Sequence, residues 1–241
     1  MPAENRDLEQ ILEQPINRRS FFRRSAAGLL LLEEAVRNSG CTPAFIGYPV
    51  VYPADVSCPP IRSEYGVFGD IDGNTRSSRH TGLDIVAEKG SPVIAAADGK
   101  VILVGWVSAG GNRVMIYHGV DNDGKHIYSR YSHMNEFNVE EGVVTLEPVK
   151  RGQQIGTVGN TGSDMPRSRT PHLHFEVYAL KDSLIQGKKV SRYSNDDASN
   201  PHDYWFKDKN SPPDKIIIPP FIKGREYPSK PIRFTYPVPC R

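Results

Sequence analysis

The feature that most constrains the fold is an alternating stretch in the last third of this 241-residue chain. In residues 171–177, Pro-His-Leu-His-Phe-Glu-Val, apolar and polar residues alternate, which is the pattern of a β-strand with one buried face. Side chains two residues apart on a strand share a face, so His172 and His174 are expected to point the same way. Two imidazoles fixed side by side suit a metal or proton-transfer site. Taken alone, the pattern fits equally well a half-exposed strand that carries histidines on its wet face.

A second pair of polar residues lies far upstream. His80 and Asp84 are four residues apart, so on an extended segment they also share a face. Gly82 disfavours a helix here, and the Ile-Val pair that follows favours a strand. A further histidine, His133, follows another β-like run. Two nitrogens and one carboxylate oxygen are a normal ligand set for a catalytic zinc ion, with a fourth position for water.

In their order along the chain, these motifs resemble those of the lysostaphin/LytM-type zinc endopeptidases, which cut peptide cross-links in bacterial peptidoglycan. The matching motifs are H-x-x-x-D at 80–84, Tyr-Ser-His at 131–133 and H-x-H at 172–174. Glycine-containing spacers match as well, at 90–93, 97–101, 111–112, 150–153, 156 and 159–162. The similarity runs from about Tyr65 to Tyr178, roughly half of the chain.

By this resemblance, His80, Asp84 and His174 are expected to bind one zinc ion, and His133 and His172 to form the catalytic pair. Which of the two is the base stays open. The resemblance implies an all-β fold, an open antiparallel β-sandwich with the active-site groove on one sheet, whereas periodicity alone indicates only a mostly β chain.

The resemblance also implies peptidoglycan as the substrate. It leaves open whether glycine bridges or D-alanyl bonds to a diamino acid are cut. Because some relatives of this type are degenerate, the alternative is a catalytically silent wall-binding module or amidase activator, although all five site positions are present here.

Other polar residues border the expected site. Glu176 shares a face with the two histidines of its strand and can orient one of them, as carboxylates next to metal ligands often do. The loop before this strand contains Arg167 and Arg169. These arginines either grip a substrate carboxylate or belong to a solvated loop.

The charge balance argues against some partners. The chain has 30 basic and 28 acidic residues, and no basic patch interleaved with aromatic residues, so nucleic acid is not expected as a partner. No apolar run reaches the roughly 20 residues of a membrane-spanning helix. A monomer is expected.

Residues 1–40 predict an export segment. Arg18 and Arg19, followed by an aromatic pair and a short apolar run, resemble a twin-arginine signal. The alternative is a basic amphipathic helix, 18–37, that stays attached. Cys41 follows small residues as in lipoprotein cleavage sites, so a lipid anchor on Cys41 is a further hypothesis. The predicted location is the periplasm or cell envelope.

The remaining divisions are a Pro-rich linker at 41–64, the LytM-type domain at 65–180 and a Pro-rich C-terminal extension at 181–241. Within the extension, residues 200–205 are expected to pack back on the domain, and the rest to form an extended, irregular tail. Cys58 and Cys240 flank the domain. Since export would place them in an oxidising compartment, we expect a disulfide between them, with free thiols as the alternative.

Overall fold

The structure is a computed structural model, and it describes residues 49–162, 170–191, 193–208 and 211–241. The predicted export segment, the lipidation hypothesis at Cys41 and the loop residues Arg167 and Arg169 lie outside these ranges. In the described part of the chain, no helix has the length and apolar character needed to cross a membrane.

The described residues form β-strands and two short 3₁₀ turns, Asn195–Asp197 and Pro201–Tyr204. The strands are β1 (Val50–Val51), β2 (Ile61–Ser63), β3 (Leu83–Val86), β4 (Pro92–Ile94), β5 (Gly99–Val107), β6 (Gly111–Val120), β7 (His126–Phe137), β8 (Gly142–Val143), β9 (Pro148–Val149), β10 (Gln154–Val158), β11 (His172–Leu180), β12 (Ile185–Gln186), β13 (Lys189–Val190), β14 (Ala198–Ser199) and β15 (Ile216–Ile217).

Eleven strands are joined by hydrogen bonds into one sheet. Its main path is β2-β3-β11-β7-β6-β5-β8, with β10 pairing to both β4 and β7. All pairs within this sheet are antiparallel, and the short β1–β15 pair outside it is parallel. The predicted antiparallel all-β class is therefore confirmed.

The central strands carry apolar residues on both faces. One face packs in a large core that includes Leu83, Phe175 and, from β4 and β10, Val93 and Ile155. Through this shared core, β4 and β10 pack against one face of the central strands. The other face holds a smaller cluster around Tyr128, whose members come from the central strands and from residues 184–198.

We call this second face the groove face, because the candidate site described below lies on it. The smaller cluster covers only one end of it. The groove face thus has a packed end and an end lined by polar side chains, which is where the predicted site residues lie.

The C-terminal extension packs back on the domain at 200–205, as expected, but the rest of it differs from the predicted extended tail. Its backbone is mostly irregular, as the prolines predict, but Trp205, Phe234 and Tyr236 are fully buried in the large core. Trp205 stacks on Phe175 of β11 with ring centroids 5.7 Å apart. The burial of Trp205 agrees with the packing expected for 200–205. Phe234 and Tyr236 alternate with Ile232 and Val238 in the same core, a strand-like period that the prediction of an extended tail did not use.

A disulfide joins Cys58 to Cys240, as the sequence-based hypothesis expects. Beside it, Ser57 and Arg241 exchange backbone hydrogen bonds of 2.6 and 2.9 Å. The segment before β2 and the C-terminus are therefore held to each other both covalently and by backbone pairing.

Candidate metal centre

The pairing of β3 with β11 brings the two distant motifs together. Asp84 lies directly opposite His174 in the register of the two strands. His80 reaches the same point from the segment before β3, which passes close to β11 at Gly82. A Cβ atom on Gly82 would clash with the Phe175 carbonyl oxygen and lie 2.7 Å from Glu176 Cγ. Only glycine permits this approach of the two segments.

Three potential ligand atoms converge at this point. His80 Nε2 lies 3.0 Å from Asp84 Oδ1 and 2.9 Å from His174 Nδ1. His174 Nδ1 and Asp84 Oδ1 are 2.8 Å apart. Ligands of one tetrahedral zinc ion, at bonds of about 2.1 Å, lie about 3.4 Å from each other. Small shifts of these three side chains would therefore accommodate an ion.

In His80 and His174, the ring nitrogen that faces away from Asp84 lies next to a hydrogen-bond acceptor, which holds a proton on that nitrogen. His80 Nδ1 lies 2.9 Å from the carbonyl oxygen of Glu64, which can only accept a hydrogen bond. His174 Nε2 lies 3.3 Å from a carboxylate oxygen of Glu176. In the form that binds an ion, the other nitrogen of each ring carries a lone pair that faces the same point as the Asp84 oxygen. Two lone pairs and a carboxylate oxygen facing one point form a donor set that fits a divalent cation.

The surrounding charges favour a cation here. Burial raises the pKa of Asp84, but hydrogen bonds from His174 and His80 outweigh it and hold that pKa well below its usual range. Burial likewise opposes ionisation of Glu176, and the charges of Arg130 and His174 overcome it, so the pKa of Glu176 is also held well below its usual range. Two ionised, buried carboxylates thus flank His174. Despite burial, Glu176 and Asp84 raise the pKa of His174 to about 9, so without an ion this ring is protonated and a bound cation would displace one proton from it.

Asp84 has a second partner on its other oxygen. Arg76 donates from Nη2 to Asp84 Oδ2 at 2.6 Å. The same guanidinium donates from Nη1 to Ser63 Oγ at 2.9 Å and to the carbonyl oxygen of Gly69. Because Arg76 occupies Oδ2, only Oδ1 of Asp84 faces the two histidine nitrogens. Arg76 thereby fixes which carboxylate oxygen is available to an ion.

Glu176 is held by a buried network. Arg130 donates from Nε and Nη2 to the two Glu176 oxygens, and Thr81 Oγ1 donates to Oε1 at 2.7 Å. Arg130 also reaches Asn195 Oδ1 at 3.0 Å. Asn195 belongs to the C-terminal extension, so this segment supports the carboxylate that orients His174, in the role that the sequence indicated for Glu176.

His133 and His172 lie beside the triad. Their ring centroids are 4.9 Å apart, and that of His133 is 5.8 Å from that of His174. His133 Nδ1 lies 2.8 Å from the Thr161 carbonyl oxygen, and His172 Nδ1 lies 3.0 Å from that of Thr170. Both carbonyls fix a proton on Nδ1, which leaves Nε2 as the free, proton-accepting nitrogen of each neutral ring.

Both rings are kept neutral by their surroundings. Burial, followed by the charges of His172 and His174, lowers the pKa of His133 to about 3. Burial also lowers the pKa of His172, although Asp84 opposes the shift. His133 itself has a left-handed backbone with φ of 63°, which interrupts the alternation of β7 and turns its side chain onto the groove face.

The five residues predicted from the sequence therefore lie together in one pocket of about 220 Å³. Their roles as ligands and catalysts remain predictions. His118 is not part of this site: it contacts the Asp98 carbonyl and packs on Phe234 in the large core. The sequence analysis missed Arg76 and Arg130. A buried arginine opposite Glu176 could have been found from strand alternation, but nothing in the turn-rich segment around Arg76 marks it.

Known proteins share this region of the chain. The model of peptidase family M23 matches residues 78–197. Glycyl-glycine endopeptidase ALE-1 of Staphylococcus capitis is 35% identical over 138 residues, which are 57% of this chain and 32% of that protein. DD-carboxypeptidase/endopeptidase Mpg of Neisseria meningitidis is 40% identical over 98 residues, 41% of this chain and 20% of that protein. The chain thus spans about a fifth to a third of these relatives.

Among solved structures, the catalytic domain of the antimicrobial peptidase lysostaphin from Staphylococcus simulans is 30% identical. The match covers 58% of this chain and 86% of that domain, with a TM-score of 0.43. The family match begins two residues before His80 and ends after Asn195, so it contains every one of the five site positions. The chain belongs to peptidase family M23.

Proposed function

We propose that this chain is a zinc-dependent endopeptidase that hydrolyses peptide cross-links of bacterial peptidoglycan. The observation that carries the proposal is the convergence of three lone-pair donors with two neutral histidines in one pocket. The relatives support the reaction class, since those named above are endopeptidases. Their names specify different bonds, so the bond cut by this chain stays open between glycine bridges and D-alanyl cross-links.

His80, Asp84 and His174 would hold the zinc ion. A divalent ion held there supplies Lewis-acid chemistry, which polarises the scissile carbonyl and makes a neighbouring water more acidic. The Nε2 atom of either His133 or His172 takes the proton of that water as its oxygen bonds to the carbonyl carbon. The same proton then passes to the amine nitrogen as the C–N bond breaks. The second imidazole, once its Nε2 has taken up a proton from solvent, can hydrogen-bond the developing oxyanion.

We also propose that the protein acts outside the cytoplasm, as a monomer. The Cys58–Cys240 disulfide supports this location, because such bonds persist in oxidising compartments. The export segment and the lipid anchor at Cys41 remain predictions from the sequence.

The direct test is digestion of sacculi by the purified, zinc-loaded protein, with released peptides identified by mass spectrometry. Sacculi from a glycine-bridged wall and from a directly cross-linked wall would distinguish the two bonds. His172→Ala should abolish release while the protein remains folded and binds zinc. His126→Ala is the matched control, since the His126 ring hydrogen-bonds to and stacks on Tyr117 at the packed end of the groove face and does not line the pocket. Binding of sacculi without any release would instead support the silent wall-binding module.

A further inference from the structure

One cation on the groove face has no counter-charge. Arg113 lies on β6, and its side chain makes no hydrogen bond or ion pair among the residues that the structure describes. Its Nε is buried without a partner. The neighbouring Ser132 Oγ is also buried and unpartnered in the described part of the chain. Arg113 as a whole is partly buried, and burying part of a guanidinium without an anion is costly, because desolvation is not compensated by pairing.

The carboxylate of Glu176, the nearby acidic group, is not available to pair with Arg113. Glu176 is already occupied by Arg130, by Thr81 and, at 3.2 Å, by Tyr178. Burial and the like charge of Arg130 lower the pKa of Arg113 to about 10, so Arg113 is still a cation at neutral pH. Its guanidinium packs over Gly110, where any Cβ would clash with it. The side chain is thus held in place without being neutralised.

Arg113 lies close to the metal centre along one row of the sheet. His174 of β11 pairs with Ser132 of β7. On β6, Arg113 lies between Asn112 and Val114, which pair with Met134 and Tyr131 across the bulge at His133. Neighbouring strands are about 4.8 Å apart, so Arg113 lies roughly 10 Å from His174, the length of about three extended residues. A peptide lying across these strands, from the pocket towards β6, would span both positions.

We propose that Arg113 forms a carboxylate-binding subsite for the substrate peptide. This proposal rests on the proposed function and adds a chemical class of substrate. The substrate would be a peptide that carries a free carboxylate within about three residues of the scissile bond. A guanidinium binds a carboxylate in a bidentate way. A bound substrate would then supply the carboxylate partner that Arg113 lacks among the described residues.

The test uses a synthetic cross-linked peptide and a set of analogues in which each carboxylate is replaced in turn by a carboxamide. The zinc-loaded protein should cleave the parent peptide with a kcat/KM about tenfold or more above that of one analogue, since pairing in a desolvated site contributes more than an exposed pair. In Arg113→Gln this ratio should fall to about one. Arg113→Lys should restore part of it, because charge remains without bidentate geometry. Arg62→Gln, an exposed arginine on β2, should keep the full ratio.

Calorimetric titration of the zinc-loaded His172→Ala protein with the same peptides gives a readout without turnover. The subsite is supported if this protein binds that one analogue more weakly than the parent peptide. In the His172→Ala, Arg113→Gln double variant, the difference in affinity between the two peptides should disappear. Wild-type cleavage of every analogue at the parent rate would overturn the subsite and leave the peptidase proposal intact. Failure to cleave any peptide, with the binding preference present, would overturn the peptidase proposal and leave the subsite intact.

Discussion

At the scale of single residues, Arg76 decides how Asp84 is presented. It bonds one carboxylate oxygen and leaves the other for the histidine nitrogens. Partners of metal ligands typically contribute 10–100-fold to metal affinity. We therefore expect Arg76→Met to raise the dissociation constant for zinc by about 10–100-fold. Competition with a chromophoric chelator measures this constant.

The control for this prediction is Arg79→Gln. Arg79 lines the same pocket but stacks over Phe68 and bonds the Gly66 carbonyl oxygen, without reaching Asp84. It should retain wild-type zinc affinity. Equal losses in both variants would mean that general positive charge, rather than the Arg76–Asp84 bond, determines affinity.

The two arginines of the groove face should respond in opposite directions to the same substitution. Arg113 is unpaired, so Arg113→Met removes a desolvation cost and should raise the free energy of unfolding by about 1–3 kcal/mol. Arg130→Met leaves Glu176 buried and unpaired, and should lower it by about 3–5 kcal/mol. Urea denaturation of the zinc-free proteins measures both. Destabilisation by Arg113→Met would show that this side chain has a structural partner.

At the scale of elements, the approach of the His80–Asp84 segment to β11 depends on Gly82. In Gly82→Ala, the added Cβ would meet the Phe175 carbonyl and Glu176 Cγ. We expect a loss of about 1–3 kcal/mol in unfolding free energy, together with a lower zinc content of the purified protein. In Gly69→Ala, the added Cβ has no heavy atom within 4 Å, so neither quantity should change.

The elements also show what the sequence could predict. Even spacing was enough to predict that His172 and His174 share a face, because strand alternation is local. His80 lies before β3, so its contact with Asp84 depends on the path of residues 80–82 and not on alternation. Arg76 and Arg113 could not be assigned from alternation either. Their roles depend on which acceptors the fold brings within reach of long side chains. His133 escapes simple alternation as well, since its left-handed backbone reverses the face on which it lies.

At the scale of the whole molecule, the C-terminal extension belongs to the fold that carries the site. Trp205 and Phe234 fill the large core, and Asn195 holds the arginine that fixes Glu176. The sequence predicted an irregular backbone for this segment because of its prolines. It also predicted the packing of 200–205, which includes Trp205. It did not predict the burial of Phe234, although Ile232, Phe234, Tyr236 and Val238 alternate as in a strand. The metal centre therefore depends on packing from beyond the H-x-H strand.

The disulfide should stabilise this arrangement as a whole. Cys58 and Cys240 are separated by 182 positions, and cross-linking so long a loop restricts the unfolded chain strongly. We expect the double variant Cys58→Ala, Cys240→Ala to lose about 2–5 kcal/mol of unfolding free energy, measured by urea denaturation. Reductant should destabilise the wild type similarly and leave the double variant unaffected. Equal stability of both proteins would instead mean that backbone pairing of Ser57 with Arg241 and core packing hold the C-terminus without help, and the fold would then tolerate a reducing compartment.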